Sequence, residues 1–209
     1  MMKLRVPPCT IQWYPPGYHC IDSVDGDIFL IDHGTLVDDV IRLGQEALTI
    51  TEPELKGYTW CEHTATRRGY IDGEDALSEM GWKGYERRIL ANYAHRLYAK
   101  VHFEVDDVLR ANAVANDVSC EGLEYGWEEY PPLVLDGLTG AQLACTFGDA
   151  IICSTKETLV MMGLGLMPDR LPSMVVPARI AYWVGANPSI MSNATPTQII
   201  VIPGIPQAN

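Results

Sequence analysis

The sequence has no apolar run long enough to cross a bilayer. Its nearest approach, 150–167, is interrupted by Lys156 and Glu157. The opening residues Met1-Met2-Lys3-Leu4-Arg5-Val6-Pro7-Pro8 carry charge but lack the apolar core of a secretory leader. Basic residues are also scarce. The 15 Lys and Arg stand against 27 Asp and Glu, a net charge of −12, which disfavours a nucleic-acid backbone or an anionic membrane surface as partner. The six cysteines (Cys9, Cys20, Cys61, Cys120, Cys145 and Cys153) include no Cys-x-x-Cys pair, so their spacing does not suggest a structural zinc site. Without a leader, a chain of this size is not expected to rest on disulfides. The expectation is a cytoplasmic protein with reduced thiols, no membrane span, no metal and no cofactor. There is no internal repeat and no low-complexity tract.

What remains is the composition of a globular domain with short extensions. Residues 1–24 contain Pro7-Pro8 and Pro15-Pro16-Gly17, which favour extended backbone, and read as an N-terminal arm or edge element. Ile28-Phe29-Leu30-Ile31 fits a buried strand, and 36–48 carries a helical apolar stripe with Asp38 and Asp39 in its first turn. Residues 58–66 are rich in strand formers. Tyr70-Ile71 and 76–80 flank Asp72-Gly73 as further strands of a meander. The spacing predicts helices over 85–100 and 104–118, a strand or loop at 133–138 and a short helix at 140–147. Beyond Pro168 prolines recur, and 197–202 reads as a strand in a C-terminal tail, 184–209.

The stretch 149–163 carries the chemistry. An apolar approach leads to Cys153, then Ser154 and Thr155 suit the first turn or cap of a helix, and Gly163 suits its left-handed stop. A thiol at a helix start meets unpaired N–H groups, whose partial positive charge favours thiolate. Such a nucleophile needs an imidazole as base and a polar group to orient that imidazole. His63 lies on a predicted central strand. Glu79, sixteen residues on, lies on a later strand that an antiparallel meander can bring alongside. Packing alone would also account for each of these residues: a buried cysteine, a satisfied core histidine, a solvated strand glutamate. Cys61 and His63 share one face of the predicted strand, but a metal site there would need Cys120 or Cys145 from far along the chain. Tyr125, Trp127 and Tyr130, beside Glu128 and Glu129, fit either a core edge or a sugar- or peptide-binding groove.

The order of these motifs resembles that of the circularly permuted NlpC-type, papain-like thiol hydrolases, the YiiX-like proteins and the lecithin–retinol acyltransferase group. Gly26-Asp27-Ile28 opens the unit, His63 enters the meander, Glu79-Met80 follows, and Ile152-Cys153-Ser154 opens a late helix. The match spans roughly 25–183, a domain-sized unit. It departs from the family pattern at Glu62, where Ser is usual, at Met80, where Ala is common, and at Thr155-Lys156-Glu157, which replaces Glu-Leu. The resemblance implies an α+β papain-like domain, an antiparallel sheet with packed helices. Cys153 would be its nucleophile, His63 its base and Glu79 the orienting group. It further implies a thiol hydrolase acting on an amide or ester, with a peptide, peptidoglycan or acyl-lipid as substrate. Two alternatives stay open. One is a lipid acyltransferase. The other is a structural or assembly protein of a phage particle that keeps the fold and docks protein partners through its arm and tail.

Overall fold

Seven strands form one antiparallel sheet in the computed structural model, in the order β5-β4-β3-β2-β6-β1-β9. The structure describes residues 4–32, 34, 36–126, 135, 150–188 and 199–202. The strands are β1 (Cys9–Tyr14), β2 (Ile28–Ile31), β3 (His63–Ile71), β4 (Glu74–Gly81), β5 (Gly84–Ile89), β6 (Tyr98–Phe103) and β9 (Ile199–Ile202). A separate parallel pair joins β7 (Glu124–Tyr125) to β8 (Ala150–Ile151). Four α-helices have described bounds: α1 (Leu36–Leu48), α2 (Asp107–Ser119), α3 (Cys153–Gly163) and α4 (Pro177–Val184). The fold is α+β. Among the described residues no helix is long and apolar enough to cross a membrane. The stretches 127–134 and 136–149, with Trp127, Glu128, Glu129, Tyr130, Cys145 and the predicted elements at 133–138 and 140–147, lie outside the described residues.

Side-chain alternation gives the sheet two faces. One carries Ile11, Trp13, Ile28, Leu30, Val101 and Phe103, and packs against Val160 and Met161 of α3, Leu164 just after it, and Ile180, Trp183 and Val184 of α4. The other carries Tyr14, Phe29, Ile31, Ala65, Leu77 and Tyr98, and is closed by Cys20, Leu90 and Tyr93. Helix α3 is buried almost all round, polar residues included, because those residues find partners inside the protein. Asp27, of the Gly-Asp-Ile motif, is fully buried. Its Oδ1 lies 2.7 Å from His102 Nδ1, and its Oδ2 accepts the Val24 N–H at 3.0 Å.

Three local expectations are corrected and a fourth is refined. Residues 85–100 form no single helix: they divide into β5, a short 3-10 turn over Leu90–Tyr93, and the start of β6. Apolar residues at helical spacing in 85–100 serve two strands instead, because long-range pairing of β5 with β4 and of β6 with β1 and β2 overrides local periodicity. Within the N-terminal stretch, Cys9–Tyr14 is not an appendage but a strand hydrogen-bonded to β6 on one side and β9 on the other. Gly163 is not the left-handed stop; Gly165, at φ 89°, takes that conformation. Gly163 is instead a close-approach site, since a Cβ there would lie 2.6 Å from the Cα of Ala113 on α2. Ser154 and Thr155 fall in the first turn of α3, one of the two places expected for them. The cap residue is Ile152, without a side-chain bond, and Ser154 Oγ donates to the Val175 carbonyl at 2.6 Å.

Candidate active site

Strands β3 and β4 set His63 and Glu79 side by side. Ala65 stands opposite Glu79 across the ladder, and His63, two residues before Ala65, shares its face, so the two side chains are diagonal neighbours. Nε2 of His63 lies 3.0 Å from Oε2 of Glu79. Tyr93 donates its hydroxyl to the same oxygen, and Arg88 Nε lies 3.0 Å from Oε1. Burial alone would push the Glu79 carboxyl up. The charge of His63, the hydrogen bonds from His63 and Tyr93, and the charge of Arg88 outweigh it and hold the group down at about 2. Glu79 is therefore a buried carboxylate with donors on both oxygens.

The imidazole answers in kind. Burial pulls the His63 ring down, but the Glu79 carboxylate, then the hydrogen bonds to Cys153 and Glu79, hold it well above the ordinary histidine value. Cys153 is the first residue of α3, fully buried and hydrogen-bonded to the His63 ring. The first N–H groups of a helix have no intrahelical acceptor, so the thiol sits where backbone donors converge. All three residues expected from the sequence thus meet in one cluster.

Neighbouring segments hold this cluster in place. Gln45 of α1 donates from Nε2 to the Cys61 carbonyl at 2.9 Å and accepts the Ala178 N–H of α4 at 2.7 Å. Trp60 Nε1 donates to the Ala186 carbonyl at 2.9 Å. Glu62, before His63, is buried, lies 2.6 Å from Arg42 and accepts the Gly34 N–H at 3.0 Å. The Cys61 thiol is pushed well up, by burial first and by Cys153 second, which keeps it protonated. Among the described residues no group of three or more His, Cys, Asp and Glu is arranged to hold a metal ion.

No family model matches this chain, and no curated protein does. No local pattern marks Tyr93 and Arg88 for chemistry, because a helix over 85–100 places Tyr93 on a core face and Arg88 in solvent. Alternation within Tyr85-Glu86-Arg87-Arg88-Ile89 was the available signal for a strand there. In the sequence Lys156 and Glu157 stand out as interruptions of an apolar run and as a departure from Glu-Leu. A charged pair amid apolar residues in the first turns of a helix is the signal that they have buried partners.

Proposed function

We propose that this protein is a cysteine-dependent hydrolase with a papain-like site, in which Cys153 is nucleophile, His63 base and acid, and Glu79 the orienting carboxylate. The observation that carries the proposal is a single imidazole bonded to Glu79 at 3.0 Å through Nε2 and hydrogen-bonded to Cys153 at a helix start. Nucleophile, base and orienter are the three parts this chemistry requires, linked in the order it requires.

In this mechanism the proton that leaves the thiol is held on His63, whose ring Glu79 keeps protonated, and the thiolate attacks an acyl carbon. The tetrahedral oxyanion is met by the Cys153 N–H at the start of α3. The imidazolium then protonates the departing amine or alkoxide, and a thioester remains on Cys153. His63 next takes a proton from water, the hydroxide cleaves the thioester, and the thiol is restored with release of a carboxylic acid. Glu79, held ionised by Tyr93 and Arg88, stabilises the imidazolium at each stage. The thiol is fully buried while His63 keeps a small exposed surface, so the substrate carbonyl approaches past the ring. An amide or ester in a peptide, in peptidoglycan or in an acyl-lipid suits this chemistry.

The test is limiting iodoacetamide followed by peptide mapping. Cys153 labels faster than Cys9, Cys20, Cys61 and Cys120, and His63→Ala abolishes the preference. Incubation with a peptidoglycan stem peptide and with an acyl-lipid then reveals the substrate class from the mass of the thioester trapped on Cys153. Indiscriminate labelling of the native protein, unaffected by His63→Ala, rules the proposal out.

A further inference from the structure

We propose that Lys156 is a positioning residue for this site: its ammonium locks the helix that carries Cys153 onto the strand residue next to Glu79. The inference rests on the hydrolase reading above and adds a residue that does not touch the reacting atoms.

Lys156 lies three residues after Cys153 on α3 and is fully buried. Its Nζ is 2.9 Å from the Ser78 carbonyl, 3.2 Å from Ser78 Oγ and 3.1 Å from Thr66 Oγ1, so it binds β4 and β3 at the cross-strand pair Thr66–Ser78. Asp117 of α2 is its nearest counter-ion at 2.8 Å, and Glu157 lies at 3.4 Å. Asp117 in turn accepts Ser78 Oγ at 2.6 Å and Tyr85 Oη at 2.9 Å, and lies 3.3 Å from Arg68, which pairs with Glu121 at 2.5 Å. Thr66 also donates to Glu157.

The faces of β4 give this network its consequence. Ser78 faces the helices, where Lys156 and Asp117 hold it, whereas Glu79, the next residue, faces His63 and Tyr93. Successive residues of one strand are thus gripped from opposite sides. Lys156 fixes α3 against the grip point, and the thiol rides one turn away on the same helix. A helix advances 1.5 Å per residue, and an ångström of misplacement at a reacting atom can cost about a hundredfold in rate. An apolar side chain at 156 would fill the space without the desolvation cost of an ammonium, but a greasy contact tolerates sliding. Five directional contacts to β3, β4, α2 and Glu157 do not.

The experiment compares Cys153 alkylation by iodoacetamide across pH in the full chain, in Lys156→Met/Asp117→Asn, which removes the buried cation together with its nearest anion, and in Ser78→Ala. Circular dichroism and thermal melting check the fold of each. The double variant is expected to label Cys153 about tenfold more slowly at neutral pH. Its labelling profile across pH is displaced from that of the unmodified chain. Ser78→Ala gives a change in the same direction, about threefold. A purely structural lysine would lower the melting temperature and leave the profile in place, and that result in either folded variant overturns the proposal. If the double variant does not fold, Ser78→Ala decides alone. Failure of the hydrolase reading looks different: there His63→Ala leaves the labelling of the unmodified chain unchanged.

Discussion

Arg88 Nε sits 3.0 Å from Oε1 of Glu79, while the other carboxylate oxygen is engaged by His63. The carboxylate is thus divided between two cationic partners, one of them partly open to solvent. That division explains how a buried acid stays ionised and so keeps a buried imidazole charged. The first prediction removes it. Glu79→Gln keeps the shape and loses the charge, so the His63 ring falls back toward its ordinary value and the thiolate loses its partner. Cys153 alkylation at pH 6 is expected to drop about tenfold or more, equivalent to roughly 1.4 kcal/mol of differential stabilisation. An iodoacetamide pH profile measures it; an unchanged profile counts against the role of Glu79.

Acid stability follows from the same pair, with opposite signs for its two members. The Glu79 value is depressed from 4.5 to about 2, so its contribution is present above the unfolded value and is lost as pH falls through that interval. His63 is raised, so its contribution is complete below about 6.5 and is lost as pH climbs through the folded value. Melting curves should show the unmodified chain ahead of Glu79→Gln at pH 5. The advantage should shrink between 4.5 and about 2.

Tyr93→Phe tests the third donor. The ring stays in the apolar cluster with Leu90 and Tyr98, but Glu79 loses the hydroxyl it accepts. A stability loss of about 1–3 kcal/mol is expected by urea denaturation, because a hydrogen bond to a buried charge is at the strong end of the range. Slower Cys153 labelling should accompany it. Stability loss without slower labelling would make Tyr93 structural only.

Gly163→Ala separates helix propensity from packing. In an isolated helix the change is favourable by about 1 kcal/mol. Here the new Cβ would meet the Ala113 Cα and N at 2.6 Å and the Asn112 carbonyl carbon at 2.8 Å. The strained contact between α2 and α3 should instead destabilise the protein by about 1–3 kcal/mol in urea denaturation. A stabilised variant would show that the two helices can separate without penalty.

Much of the site was legible in the chain before any tertiary contact was known. A thiol followed by hydroxyl residues and a helical pattern marks a helix start whatever lies around it, and Cys153 does begin α3. Asp72-Gly73 marks a hairpin, and β3 and β4 do pair antiparallel around it; the turn that Arg67-Arg68-Gly69 suggests is absent, since β3 runs through those residues to Ile71 with only a register shift between Arg67 and Tyr70. Once that pairing is given, His63 and Glu79 can meet. The segment 85–100 was illegible for the opposite reason. Its apolar spacing satisfies a helix locally, and only β4, β1 and β2, distant in sequence, supply the ladders that make it strand.

Composition, charge balance, the strand at Ile28–Ile31, the helix at Leu36–Leu48 and the choice of Cys153, His63 and Glu79 as candidates came from the sequence itself, because they depend on local patterning and on what each side chain can do. Tertiary structure alone decided that Tyr93 and Arg88 share Glu79 with His63, that Cys9–Tyr14 is an interior strand, that Gly163 lets two helices touch, and that Lys156 is buried among acids and hydroxyls. Each of these is a pairing between segments far apart in the chain. No local pattern encodes such a pairing; it arises when burial forces a polar group to find its partner elsewhere in the fold.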